Sequence, residues 1–125
     1  MEILGAGLCR TGTMSTRKAL VGLGLDPCFH MKDVLARDLV DLFLNYFNGD
    51  KQPLIDYLKL NGVKASLDIP IVCIVDELTP HFPDAKVLLT VRDCPDVWVQ
   101  VFIVLFVSKH NCKHFKSHSA RLFGA

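Results

Sequence analysis

The residues that could do chemistry begin almost at the first position of this 125-residue chain. Gly5-Ala-Gly-Leu-Cys-Arg-Thr-Gly-Thr-Met-Ser15 holds three glycines, two threonines, a serine and one arginine, between a short apolar start (Ile3, Leu4) and a helix-like run. Glycine accepts positive φ without a Cβ penalty and lets backbone N–H groups approach a ligand closely. A helix that starts behind such a turn aims its unpaired first-turn amides and positive dipole end at the same point. The ligand favoured there is an anion, most often a phosphate. Arg10 adds a permanent charge and a fork of donors that fits a tetrahedral oxyanion. The rival reading is a tight strand-to-helix turn with no ligand, and three glycines beside Arg-Thr-Gly-Thr argue against it.

Two familiar phosphate patterns fail on these residues. The dinucleotide fingerprint G-x-G-x-x-G is met by Gly5 and Gly7, but Arg10 fills the third glycine position and would block close helix–strand contact. The triphosphate loop G-x-x-x-x-G-K-[ST] is met by Gly7 and Gly12, but Thr13 and Met14 stand where the lysine and the hydroxyl belong.

Helices and strands able to carry these groups can be read along the chain. Thr13 to Leu23 reads as a helix and Cys28-Phe29 as a short strand leading to His30. From Met31 the apolar spacing through Val34, Leu35, Leu39, Leu42, Phe43 and Tyr46 predicts one helix, stopped by Asn48-Gly49. Leu54 to Leu60 predicts another. Val63 to Leu67 reads as a strand with Asp68 just beyond it, and Pro70 suits the first turn of a helix running to Leu78. Lys86 to Val91 is a near-continuous apolar run, the pattern of a buried parallel strand, with Arg92 next. Asp93 and Pro95 read as a helix start, with Trp98 as a core residue. Strands alternating with helices predict an α/β fold, a parallel sheet of about four strands flanked by helices. Ligands of such sheets sit beyond the carboxyl ends of the strands. The glycine turn, His30, Asp68 and Arg92 each lie at such an end.

Four blocks resemble a phosphate-loop sulfotransferase family in the right order. They are the G-R-T-G-T-like loop with the Pro27-Cys-Phe-His-Met31 segment, Leu67-Asp-Ile-Pro70, Phe82-Pro-Asp-Ala-Lys-Val-Leu-Leu-Thr-Val-Arg-Asp93, and Pro95-Asp-Val-Trp98. Together they span roughly residues 2 to 100. The resemblance implies 3′-phosphoadenosine 5′-phosphosulfate as donor and transfer of its sulfuryl group to a hydroxyl or amine of a small-molecule acceptor. It implies that Arg10, Thr11, Gly12, Thr13 and Met14 hold the 5′-phosphosulfate, with Ser15 assisting, and that Arg92 binds the 3′-phosphate. It places Asp68 at the general base position. His30 is the second candidate, because imidazole titrates near neutrality. Each has a structural rival: Asp68 as a cap on the helix near Pro70, His30 as a buried structural histidine, Arg92 as a surface residue. The serine that the family carries about one turn after the tryptophan is replaced here by Val101.

Composition sets the outer limits. Half the residues are apolar, so the chain folds rather than staying disordered. The net charge of +1 hides an asymmetry, with the 107 residues before the tail carrying −3 and residues 108–125 carrying +4. No clustered basic face of the nucleic-acid-binding kind is expected in the body. Five cysteines without a C-x-x-C pair point to free, buried thiols in a reducing compartment. His110, Cys112, His114 and His118 match no standard zinc spacing, so no metal is expected. The apolar stretch from Val97 to Val107 falls short of the ~20 residues of a membrane span. A cytoplasmic protein is expected, with a domain over residues 1–107 and a poorly ordered Lys/His-rich tail over 108–125.

Residues 101–107 are apolar on every side, so they require burial, and self-association through them is expected. With the family likeness fading past Val101, the fold is read as incomplete at the C-terminus and the enzyme as weak or inactive through truncation. Two other readings stand beside the transferase. One is a nucleotide-binding remnant without catalysis; the other, which Arg10 argues against, is an NAD-dependent oxidoreductase.

Overall fold

The computed structural model describes residues 1–107. It divides into two compact units, Met1–Val91 and a second beginning at Arg92. The first unit is built on four short parallel strands: β1 (Ile3–Gly5), β2 (Cys28–Phe29), β3 (Ala65–Ser66) and β4 (Lys86–Leu88), in the order β2-β3-β1-β4. Ile3 sits opposite both Ala65 and Lys86, and Cys28 opposite Ala65. Since all four run the same way, their carboxyl ends share one edge of the sheet, and the segments leaving them emerge there.

Successive strand residues point to opposite faces, which divides the core in two. Leu4 and Phe29 face a large cluster with Phe43, Tyr46, Leu54, Leu58, Ile71 and Leu78. Ile3, Cys28, Ala65 and Leu67 face a smaller one closed by Leu20. Leu20 lies on α1 (Thr13–Gly22), which crosses from β1 to β2. The large cluster is covered by α2 (Met31–Ala36), α3 (Val40–Phe47), α4 (Gln52–Leu60) and the coil from Ile71 to His81. That coil is a 3-10 turn (Ile71–Ile74), a single α turn α5 (Val75–Leu78) and another 3-10 turn (Thr79–His81), where the sequence predicts one helix.

The single helix expected from Met31 to Tyr46 is two helices. Asp38 takes φ 54°, and the Leu39 amide donates to Val34 O at 2.9 Å, closing α2 before α3 starts. A left-handed residue is the usual helix stop, and aspartate is among the few non-glycine types that tolerate it. Both helices keep their apolar face on the core, so spacing alone could not reveal the break. The α3 and α4 stops fall where expected, with Gly49 and Gly62 at positive φ.

β4 also departs from expectation. Among the described residues it is an edge strand, and Val87, Leu89 and Val91 are exposed rather than buried. An apolar run is buried on both faces only where other elements cover both faces of the sheet.

The second unit contains α6 (Pro95–Val107), starting at the expected proline. Within it the Trp98 and Phe102 rings lie 5.2 Å apart, and Trp98 is half-buried. No described helix is long and apolar enough to cross a membrane. The expected basic tail, 108–125, and its His/Cys cluster lie outside the described residues.

Candidate functional site

The turn between β1 and α1 is shaped by contacts that exclude side chains. A Cβ on Gly5 would meet Ser66 O at 2.7 Å, and one on Gly7 would meet Thr90 O at 2.7 Å and the Thr90 hydroxyl closer still. These two glycines therefore serve strand packing. Gly12 differs: nothing crowds it, but φ is 93° and it is the N-cap of α1. Arg10 is also left-handed, with φ 68°, and exposed. For a residue with a Cβ that backbone is costly and marks a conformation imposed by its surroundings.

Hydroxyls fix the turn from within. Thr11 Oγ1 donates to Leu8 O at 2.6 Å and lies 2.8 Å from Thr90 Oγ1. With its one proton committed to the carbonyl, Thr11 must accept from Thr90. Sequence reasoning gave Thr90 no role; its only signal there is a polar residue inside an apolar run. The Thr11 and Gly12 amides make no backbone hydrogen bond among the described residues, and the first-turn amides of α1 (Thr13, Met14, Ser15) have no intrahelical acceptor. Met14 and Ser15 are exposed, whereas Thr13 is buried.

Thr13 leads to the ionisable pair. His30 Nε2 lies 3.1 Å from Thr13 Oγ1 and 3.2 Å from Asp68 Oδ2, with His30 and Asp68 both buried. The other ring nitrogen, Nδ1, accepts from the Lys32 amide at 3.4 Å. A nitrogen that accepts carries no proton, so Nε2–H is the protonated position of the neutral ring. It donates to the Thr13 oxygen, with the Asp68 carboxylate 3.2 Å away on the same side, leaving the Thr13 hydroxyl proton free to turn elsewhere. Asp68 itself has φ 72°, and its other oxygen, Oδ1, is buried without a hydrogen-bond partner among the described residues. The rival reading of Asp68 as a helix cap does not hold, because the turn starting at Ile71 has no side-chain cap.

A second pair holds His30 in place. Asp33 accepts from the His30 amide at 2.9 Å, completing a capping box at the start of α2. Arg17 on α1 reaches the same carboxylate at 3.2 Å and donates through Nε to Cys28 O at 2.9 Å. Sequence reasoning missed Arg17 and Asp33, since only the packing of α1 beside α2 joins them. Burial holds the His30 imidazole below its ordinary pKa, against the pull of Asp68; Arg17 and Lys32 push the same way as burial, and Asp33 opposes them. The Cys9 thiol is pushed up by burial and by the Asp68 carboxylate, while Arg10 works in the opposite sense. Thus Asp68 is felt in the glycine turn.

Of the residues singled out from sequence, Thr13, His30 and Asp68 meet directly, and Arg10, Thr11, Gly12, Met14 and Ser15 belong to the turn and first helical turn beside them. Arg92 opens the second unit. Among the described residues no group of His, Cys, Asp and Glu side chains could hold a metal ion.

The first strand of this parallel α/β sheet passes through a glycine turn into a helix, with ionisable side chains along one sheet edge. The chain belongs to the sulfotransferase domain family, whose profile matches residues 2–120. It is also similar to "Ava biosynthesis cluster protein M" of Aspergillus versicolor, 36% identical over 107 aligned positions that cover 79% of this chain and 40% of that protein. The chain thus spans well under half the length of this relative.

Proposed function

We propose that this chain binds 3′-phosphoadenosine 5′-phosphosulfate and directs its sulfuryl group to a hydroxyl on a small-molecule acceptor. The observation that carries the reading is the Thr13–His30–Asp68 contact, which ties the first turn of α1 to two ionisable residues at the same sheet edge. The turn suits the donor: first-turn amides without intrahelical acceptors, a left-handed Gly12 and the Arg10 guanidinium favour a bound anion. Bound there, the donor supplies an activated sulfuryl group. As the bond from sulfur to the phosphate oxygen breaks, the amides of Thr11 to Met14, Arg10 and the Thr13 hydroxyl stabilise the charge left on that oxygen. Ser15 assists.

The acceptor oxygen forms the new bond to sulfur and gives up its proton. Asp68 receives it, because Nε2 of His30 already carries a proton in the resting tautomer. His30 is then a positioning residue that orients Asp68 and Thr13. An amine acceptor would take the same route. A nucleotide-binding domain without turnover is the second reading, favoured by Val101 in the place of the family's serine.

The test is thermal unfolding with 3′,5′-adenosine bisphosphate, and then transfer of labelled sulfate to a mixed acceptor panel. At 100 times Kd the nucleotide stabilises the fold by about 2.7 kcal/mol. Arg10→Ala should remove most of that shift and all transfer. Absence of any shift with a folded protein rejects the donor assignment, and a shift without turnover supports the second reading.

A further inference from the structure

Thr13 and Arg17 are four residues apart on α1, so they share one face of the helix, and both act on His30. Thr13 meets the tip of the ring, its Oγ1 3.1 Å from Nε2. Arg17 works on the backbone behind the ring. Its Nε donates to Cys28 O at 2.9 Å, and its Nη2 lies 3.2 Å from both carboxylate oxygens of Asp33. One of those oxygens accepts from the His30 amide at 2.9 Å. A single guanidinium thus spans the segment that carries His30 from the end of β2 into α2. The pair is shielded, its side chains 22% and 11% exposed, unlike a surface ion pair weakened by water and salt.

The ring's own contacts hold it loosely. Nε2 to Thr13, Nε2 to Asp68 and Nδ1 to the Lys32 amide measure 3.1, 3.2 and 3.4 Å, at or beyond the long end of the hydrogen-bond range. The two bonds to the backbone around it are the short ones. We propose that Arg17, acting through Asp33, is a positioning residue of the transfer site: it holds the His30 segment so that Nε2 faces Thr13 and Asp68. Its effect on rate rests on the transfer reading above; its effect on the ring does not. Lysine is no substitute, because its one nitrogen would replace two, Nε and Nη2, that act on different partners. The charged groups facing the ring are Asp68 beyond β3, Arg17 on α1, and Asp33 and Lys32 on α2, with burial the largest influence and the one that keeps the pKa down. A ring released from this seat is better hydrated, so its pKa rises toward the ordinary value.

The test is two-bond proton–nitrogen correlation spectroscopy of the nitrogen-15-labelled full chain between about pH 5 and pH 8, with His30 identified by its loss in His30→Gln. The parent is expected to show one neutral tautomer, Nε2–H, titrating below the ordinary value. Arg17→Lys, which keeps the charge, should mix the tautomers and raise that pKa, and Asp33→Asn should mix the tautomers as well. In labelled-sulfate transfer both should lower kcat by about 10-fold to 100-fold while KM for the donor holds. A parent ring that already samples both tautomers overturns the proposal without recourse to any variant. Circular dichroism identifies a variant that fails to fold, and the two stand in for each other. Folded variants that keep the parent's tautomer and lose only urea stability overturn the proposal too, by reducing the pair to a structural brace. Unchanged kcat beside mixed tautomers does the same, by detaching the ring from the reaction. Mixed tautomers in the variants of a parent that transfers no sulfate keep the clamp on the ring and remove the transfer reading.

Discussion

At the scale of single residues, Asp68 and His30 divide the work by protonation state. Asp68→Asn keeps the shape but removes the proton acceptor, so turnover should fall by about 10²–10⁴-fold with bisphosphate binding retained, as read by labelled-sulfate transfer and thermal shift. An unchanged rate would move the base elsewhere. His30 makes a separate, stability-level prediction. Its pKa in the fold lies below the ordinary value, chiefly through burial. Above about pH 6.5 the ring is neutral in both states and contributes no slope. As pH falls below that point the unfolded chain binds the proton first, so stability drops until the depressed folded pKa is reached. The urea midpoint should therefore decline between about pH 7 and pH 5, and the decline should be shallower in His30→Gln. Equal slopes in the two proteins would contradict the burial argument.

At the scale of elements, the β1–α1 turn is dictated from both ends. Gly7 abuts the Thr90 backbone carbonyl, which no rotamer change can move aside. Gly7→Ala should cost about 1–3 kcal/mol in urea unfolding, through overpacking between the turn and the segment after β4. Gly12→Ala meets no atoms, so its cost is conformational only; it should be the milder substitution for stability while still weakening nucleotide binding. If Gly12→Ala proved the more damaging to stability, the division of roles between the glycines would be wrong. Core packing behind these elements is tested by Leu58→Ala on α4, fully buried in the large cluster, which should cost about 2–5 kcal/mol.

At the scale of the whole molecule, the four cysteines among the described residues fall into two classes. Cys9 and Cys28 are buried, and burial pushes the Cys28 thiol up to about 11, whereas Cys73 and Cys94 are exposed. The expectation of uniformly buried thiols therefore fails for two of them. Alkylation of the native protein, mapped by mass spectrometry, should mark Cys73 and Cys94 at once and Cys9 and Cys28 only on unfolding. Rapid native labelling of Cys28 would mean that the β2 edge opens locally. Self-association through residues 101–107 remains a proposal for this chain, and sedimentation velocity across a concentration series decides it.

Alternation of apolar strands with helices was enough to yield the parallel sheet, because period and turn chemistry are local properties of the chain. The glycine turn and the family blocks were legible for the same reason: each is a run of neighbours in sequence. What the chain alone could not disclose depends on residues far apart. Asp68 reads as a helix cap until His30, 38 positions earlier, is placed 3.2 Å from it. Arg17 is an unremarked helix residue until α1 packs beside α2, and Thr90 is a strand residue until it meets Gly7 and Thr11. Leu35 looks like core until α2 turns it outward, where it borders a groove with Leu44 and Phe47 of α3. Local periodicity determines which elements form, and only their packing decides which side chains converge at the carboxyl edge.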